Sequence, residues 1–286
     1  MNQNQSFSRT EINSNSAARV PICVTIAGSD SGGGAGIQAD LKTFSALGVY
    51  GASVISAITA QNTHAVTAVH DVPAHMVSAQ LEAVFGDLDV AAVKVGMVSV
   101  PETISAIANG IASFTRPIVL DPVMVAKSGD RLLSEAAIST LREKLIPLAT
   151  VLTPNLPEAA CLLDVEPARS ADEAEEQGNR LIELGAKAVL MKGGHAEGPT
   201  CTDLLIRPNQ PTIRVEAPRI ATKNTHGTGC TLSSALAAGL ALNLPLAEAL
   251  TFAHDYLHKA ISAADQLKIG SGHGPVHHFH ALWVGA

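Results

Sequence analysis

The chain reads as an α/β protein, with a mainly parallel sheet covered by helices on both faces. Three observations predict it. Short apolar runs alternate with amphipathic stretches along nearly all of the 286 residues, the repetition that right-handed β–α–β crossovers produce. Strand-like runs such as Ile22-Cys23-Val24-Thr25-Ile26-Ala27 are short and largely apolar, as strands buried on both sides require. Glycine-rich or polar turns follow those runs, where sheets of this kind bind ligands.

The elements follow in order. The first strand, Ile22 to Ala27, ends at Gly28, and a helix is predicted from Ile37 to Leu47. Val49 to Ile58 reads as an extra strand with no helix directly after it. Further strands are expected at Val93 to Val95, Ile118 to Leu120, Val151-Leu152 and Ala188 to Met191. Helical patterns fall between them: Ala74 to Phe85, Pro101 to Phe114, Ser134 to Leu145 and Asp172 to Leu184. Thr202 to Ala217 holds two strand-like runs around Pro208-Asn209-Gln210-Pro211, a hairpin-like unit. Helices at Thr231 to Asn243 and Leu246 to Ala264 close the fold. No repeat or linker divides residues 20–286, which are expected to form one domain. Residues 1–19 are polar, lack the apolar centre of a secretory signal, and are expected to be a disordered tail.

Composition narrows the function. Net charge is −7 and no cluster of Lys and Arg is interleaved with aromatics, which make up only 3% of the chain, so nucleic acid is not the expected partner. No apolar run reaches membrane-spanning length. Cys23, Cys161, Cys201 and Cys230 are widely spaced with no C-x-x-C pair, which argues against a zinc ribbon and for reduced thiols in a cytoplasm.

The most telling run is Thr225-His226-Gly227-Thr228-Gly229-Cys230-Thr231, which leads directly into a helix. A helix start offers free N–H groups and the positive end of the dipole, a ready anion site. Gly227 and Gly229 are expected to let a phosphate approach closely, and the same field is expected to favour the Cys230 thiolate. After the first strand, Gly34-Ala35-Gly36-Ile37-Gln38-Ala39 fits the loose dinucleotide fingerprint. However, no Asp or Glu follows between Leu41 and His70 to bind a ribose, so a nicotinamide enzyme is disfavoured. The G-x-x-x-x-G-K-[ST] motif of P-loop nucleotide hydrolases is absent too.

Asp121-Pro122 and Thr153-Pro154-Asn155-Leu156-Pro157-Glu158 follow further strands. Their carboxylates suit a hard cation carried by a nucleotide, although Glu158 also suits the first turn of a helix. Lys192, in Met191-Lys192-Gly193-Gly194-His195, ends another strand, where a lysine either reaches a nucleotide phosphate or, more commonly, lies on the surface. The histidines of His273-Gly274-Pro275-Val276-His277-His278-Phe279-His280 have no carboxylate or Cys nearby in sequence, and a structural role is favoured over metal binding.

Taken in order, these stretches resemble the hydroxymethylpyrimidine kinase / phosphomethylpyrimidine kinase family of thiamine biosynthesis, within the ribokinase-like superfamily. The resemblance also includes Ala60-Gln61-Asn62-Thr63 and Lys94-Val95-Gly96-Met97, and it runs from about Ile22 to Trp283. It implies a three-layer α/β/α sandwich and phosphorylation of 4-amino-5-hydroxymethyl-2-methylpyrimidine, then of its monophosphate, with ATP and Mg²⁺. It further implies that Asp40, Gln61 and Met97 hold the pyrimidine and that Asn155, Lys192, Gly194 and Thr225 meet the nucleotide. Glu158, with Asp121, would organise the metal. Cys230 stands where ribokinase-like sugar kinases place an Asp base, and it is expected to take the hydroxymethyl proton while Gly227, Thr228 and Gly229 hold the developing charge. A cytoplasmic homodimer is expected. Two positions depart from the family pattern: Ser31-Gly32, commonly Pro-Ser, and Thr59, where an apolar residue can line the ring pocket. The readings left beside this one are a pyridoxal kinase of the same superfamily and a non-catalytic ligand-binding regulator.

Overall fold

A computed structural model describes residues 19–124, 133–194 and 198–283. The expected disordered tail, save Arg19, and His195 lie outside the described residues. Among the described residues nine strands form one sheet: β1 (Ile22–Asp30), β2 (Tyr50–Gln61), β3 (Val66–Asp71), β4 (Val90–Val95), β5 (Ile118–Leu120), β6 (Val151–Leu152), β7 (Val189–Met191), β8 (Thr200–Ile206) and β9 (Ile213–Pro218). Their order is β3-β2-β1-β4-β5-β6-β7-β8-β9. The six strands from β2 through β7 pair in parallel, and β3, β8 and β9 add antiparallel edges. The expected hairpin is β8–β9.

The helices are α1 (Gly36–Ala46), α2 (Ala74–Asp87), α3 (Pro101–Ile111), α4 (Glu135–Lys144), α5 (Leu156–Leu163), α6 (Ala171–Glu183), α7 (Thr228–Ala241) and α8 (Leu246–Ser262). Two apolar cores separate them. On one face Val24, Ile26, Val93 and Val95 pack with side chains of α2 through α6. On the other, Cys23, Ala92, Val119 and Val151 pack with α1, α7 and α8. Alternate residues of each strand thus enter opposite cores, which explains why strands such as β4 are apolar throughout.

Three differences from the sequence reading matter for the site. β1 continues past Gly28 to Asp30, with a register shift against β2 between Ala27 and Ser29. α7 begins at Thr228, three residues earlier than expected, so Gly229 and Cys230 belong to its first turn. β3 is not among the expected elements, and α5 is expected only as a first turn at Glu158. β3 is a largely exposed edge strand. α5 is only eight residues long, and Pro157 at its start obscures the pattern, although the Asn155/Glu158 capping box that starts it is written in the sequence.

Candidate active site

The strand order reverses at β1, which has β2 on one side and β4 on the other, and the carboxyl ends of the parallel strands open there into a cleft of about 870 Å³. Every site residue expected from the sequence lines this cleft except Asp40.

One end is built for anions. Gly227, with φ 80°, caps α7, and the first intrahelical bond runs from Thr231 N–H to Gly227 O at 2.8 Å. The amides of Gly229 and Cys230 come before that bond and are left to an outside acceptor. The two glycines of this turn have different work. A Cβ on Gly227 would lie 1.9 Å from Gly34 O, so this residue seats one glycine loop on the other, which corrects the expectation that it clears room for phosphate. A Cβ on Gly229 would face Lys192 Nζ at 3.4 Å and Asp121 Oδ2 at 3.8 Å, on the cleft side.

Lys192 Nζ donates to Asp121 Oδ1 at 2.6 Å and lies 3.7 Å from Glu158 Oε2. The Thr153 hydroxyl also donates to Asp121 at 3.2 Å, and Ser233 Oγ lies 3.2 Å from its other oxygen, with the Gly229 and Cys230 carbonyls at 3.0 and 3.1 Å sharing the same proton. Glu158 closes the capping box: its Oε2 accepts Asn155 N–H at 2.7 Å and its own N–H donates to Asn155 Oδ1 at 2.8 Å. Burial would raise Asp121, but Lys192 and Lys94 hold it below the usual carboxylate range. Burial, with Asp121 adding repulsion, pushes Glu158 up to about 7 against the pull of Lys192. With Glu158 ionised, one ammonium between two carboxylates leaves a negative charge over, and the donors are hard oxygens. That set fits Mg²⁺.

Cys230 departs from expectation in the direction of its shift. Its thiol is pushed up to about 11 chiefly by burial, which outweighs the pull of Lys94, with Asp40 and Asp121 adding smaller pushes in the same direction as burial. Loss of water outweighs the helix field. At rest the group is a thiol.

The other end is built around Asp30. Its carboxylate gathers the amides of Gly32, Gly34 and Ala35 at 2.8–3.0 Å and meets His226 Nε2 at 2.8 Å. Burial would raise Asp30, but His226 and those amides hold it below its ordinary value. The pair joins the loop after β1 to the loop before α7. Gln61, at the end of β2, and Met97, after β4, face the same space. Met97 can lie there because a Cβ on Gly28 would come within 2.6 Å of its Cε.

Asp40 lies one layer deeper, fully buried. Its oxygens accept from Lys94 Nζ at 2.8 and 3.0 Å, and from Thr25 and Ser234 hydroxyls at 2.6 Å each. Three donor groups thus make four hydrogen bonds to the two oxygens, and Asp40 is the one expected ring residue that does not line the cleft.

Asp30, His226 and Lys94 carry no role in the sequence reading. An Asp at the head of a glycine run signals a turn built on its carboxylate, and a Lys inside Val-Ala-Ala-Val-Lys-Val signals a buried partner. Nothing local marks His226, whose partner is 196 positions away. The C-terminal histidines are structural in geometry: Tyr256 Oη donates to His278 O at 2.8 Å, and His278 Nε2 meets Thr231 Oγ1 at 3.1 Å.

The doubly wound sheet with this cleft is the ribokinase-like α/β/α kinase fold. A family model described as phosphomethylpyrimidine kinase matches residues 30–277. A hydroxymethylpyrimidine/phosphomethylpyrimidine kinase of Rhizobium meliloti (strain 1021) is 61% identical over 262 residues, 92% of this chain and 98% of that protein. The crystal structure of phosphomethylpyrimidine kinase from Clostridium difficile 630 aligns with a TM-score of 0.74 at 45% identity, over 84% of this chain and 99% of that one. The ADP complex of Bacillus subtilis pyridoxal kinase aligns with a TM-score of 0.85 at 34% identity, over 92% and 99%. The chain belongs to the phosphomethylpyrimidine kinase family.

Proposed function

We propose that this kinase transfers the γ-phosphoryl group of ATP to the hydroxymethyl oxygen of 4-amino-5-hydroxymethyl-2-methylpyrimidine, and then phosphorylates the monophosphate to the diphosphate in thiamine biosynthesis. The observation that carries this reading is the extent of the likeness: close relatives of full length bear this activity in their names. The two-ended cleft agrees with it, with an anion turn at one end and an amide beside a thioether at the other.

In the mechanism we propose, Gln61 meets the polar edge of the ring and Met97 packs on its face. The amides of Gly229 and Cys230, with Thr228 at the head of the turn, hold the charge that develops on the transferred group. Lys192 neutralises it from the opposite side, while Asn155, Gly194 and Thr225 border the nucleotide. Phosphoryl transfer depends on such positioning and electrostatics. Asp121 and Glu158 would hold Mg²⁺, which supplies positive charge to the phosphates when bound. Because Cys230 rests as a thiol, we assign it to orienting the attacking hydroxyl, which replaces the thiolate base expected from the helix field. A thiol role predicts a kcat that is flat in pH through neutrality and partly kept in Cys230→Ser. A thiolate base predicts about a tenfold rise per pH unit toward 11.

ADP release measured separately with the pyrimidine and with its monophosphate tests the function. Release with both is expected, and release with neither refutes it. Gln61→Leu is expected to raise KM for the pyrimidine about tenfold and leave that for ATP unchanged. We place the enzyme in a cytoplasm as a homodimer, on the reduced cysteines and the family likeness. A light-scattering mass of one chain would refute the dimer. No helix among the described residues is long and apolar enough to cross a membrane.

A further inference from the structure

Thr59 stands beside Gln61 at the ring end, almost fully buried yet lining the cleft. Its Oγ1 lies 2.7 Å from the Ser29 carbonyl oxygen and 3.2 Å from Gln61 Oε1. A hydroxyl has one proton, and a carbonyl can only accept, so that proton belongs to Ser29. Whatever faces Thr59 from Gln61 must then be a donor, and Oε1 is not one.

The far side of the same amide meets a second conflict. Gln61 Nε2 lies 3.3 Å from His226 Nε2, and this ring nitrogen is 2.8 Å from Asp30 Oδ2. Asp30 is a carboxylate held below its ordinary value, so it can only accept. His226 Nε2 therefore carries its proton toward Asp30 and has no lone pair for an amide donor. One half-turn of the carboxamide removes both conflicts: nitrogen then donates to Thr59 Oγ1, and oxygen faces the His226 N–H. Amide nitrogen and oxygen are nearly alike in shape, and their hydrogen bonds decide between them.

We propose that Thr59 is a positioning residue that sets ring specificity. Its hydroxyl oxygen, with the Asp30–His226 pair on the other side, holds the Gln61 carboxamide in one orientation, nitrogen toward Thr59 and oxygen toward His226. The amide then offers the cleft one N–H and one lone pair in fixed order. An aminopyrimidine, with a ring-nitrogen acceptor next to an amino donor, meets both groups in a single sense. A pyridine alcohol has no amino group beside its ring nitrogen and gains nothing from that order. The inference rests on the proposed pyrimidine substrate.

Thr59→Val keeps the shape and β-branching of the side chain, removes the hydroxyl, and frees the amide to turn. KM for the hydroxymethylpyrimidine is expected to rise about 3- to 10-fold, the worth of one net hydrogen bond, with KM for ATP unchanged and the change confined to KM rather than kcat. The preference in kcat/KM for the pyrimidine over pyridoxine is expected to fall by the same factor, and Thr59→Ser to restore both. Loss of the Ser29 bond could act on the loop instead, and a double-mutant cycle separates the two routes. In a Gln61→Leu background Thr59→Val is expected to change KM less than twofold. An unchanged KM in Thr59→Val, or the same rise in both backgrounds, overturns the proposal. Calorimetric affinity for the pyrimidine without ATP reads the same differences if turnover fails. Binding by wild type without phosphorylation would sink the function and leave Thr59 testable, while no binding at all would sink both.

Discussion

Two buried lysines sit on the strand ends of this sheet, and they are used in opposite ways. Lys94 and Asp40 are matched one to one, both fully buried, with hydroxyls of Thr25 and Ser234 completing the carboxylate. Lys192 serves two carboxylates, Asp121 and Glu158, and its own side chain is 12% exposed to the cleft. The first arrangement is balanced and closed to ligands. The second keeps a surplus negative charge and a cation that can turn to a phosphate. Charge type is the same in both, and it is the stoichiometry and the opening that separate a structural pair from a binding cluster.

That difference is broken most directly at Lys94. Lys94→Met strands Asp40 in the core, and a loss of about 3–5 kcal/mol is expected from chemical denaturation. Lys192→Met is expected to cost less stability, because Glu158, already raised to about 7, can take up a proton in place of the lost ammonium. If the two variants lose equal stability, the contrast is wrong.

Gly227→Ala comes next. It combines a φ of 80° with a methyl 1.9 Å from the Gly34 carbonyl, and about 3 kcal/mol of destabilisation is expected from the backbone strain and overpacking together. Gly229→Ala has ordinary contacts and should keep the melting temperature while slowing turnover. A thermal melt alongside kinetics reads both. In Lys192→Met itself kcat is expected to fall about 100-fold, the usual weight of one charge-stabilising donor.

The fold was legible because burial on two faces leaves a mark on each strand: β1, β4 and β5 announce themselves as apolar runs. β3 does not, since most of its residues are exposed and pairing along one edge demands little of them. The anion turn was legible from Gly227 to Cys230 because its chemistry is local, belonging to backbone and helix start. The protonation of Cys230 was not, because it depends on burial and on Asp40 and Asp121, brought in from distant parts of the chain. For the same reason the burial of Asp40 was not legible, because its partners, Lys94 and Ser234, stand 54 and 194 positions away. Thr59 was visible as a departure from the family pattern, but its meaning required seeing Ser29 and Gln61 on either side of one hydroxyl.

The smallest expected effect tests the surplus charge itself. Glu158 has its ordinary value near 4.5 when unfolded and is raised to about 7 in the fold, so the folded protein holds this proton more tightly. Its contribution to stability is therefore complete below about pH 4.5 and is lost as pH rises through 7. In metal-free buffer, Glu158→Gln removes that loss while its side-chain oxygen can still accept the Asn155 amide. The variant is expected to be about 1–2 kcal/mol more stable than wild type at pH 8, with the difference vanishing toward pH 4.5, by urea denaturation at each pH. Added Mg²⁺ should stabilise wild type more than the variant, because only the carboxylate supplies the charge a divalent ion needs. A variant less stable than wild type at pH 8 would mean that Lys192 already balances both carboxylates, and the cluster would then be as closed as the pair at Lys94.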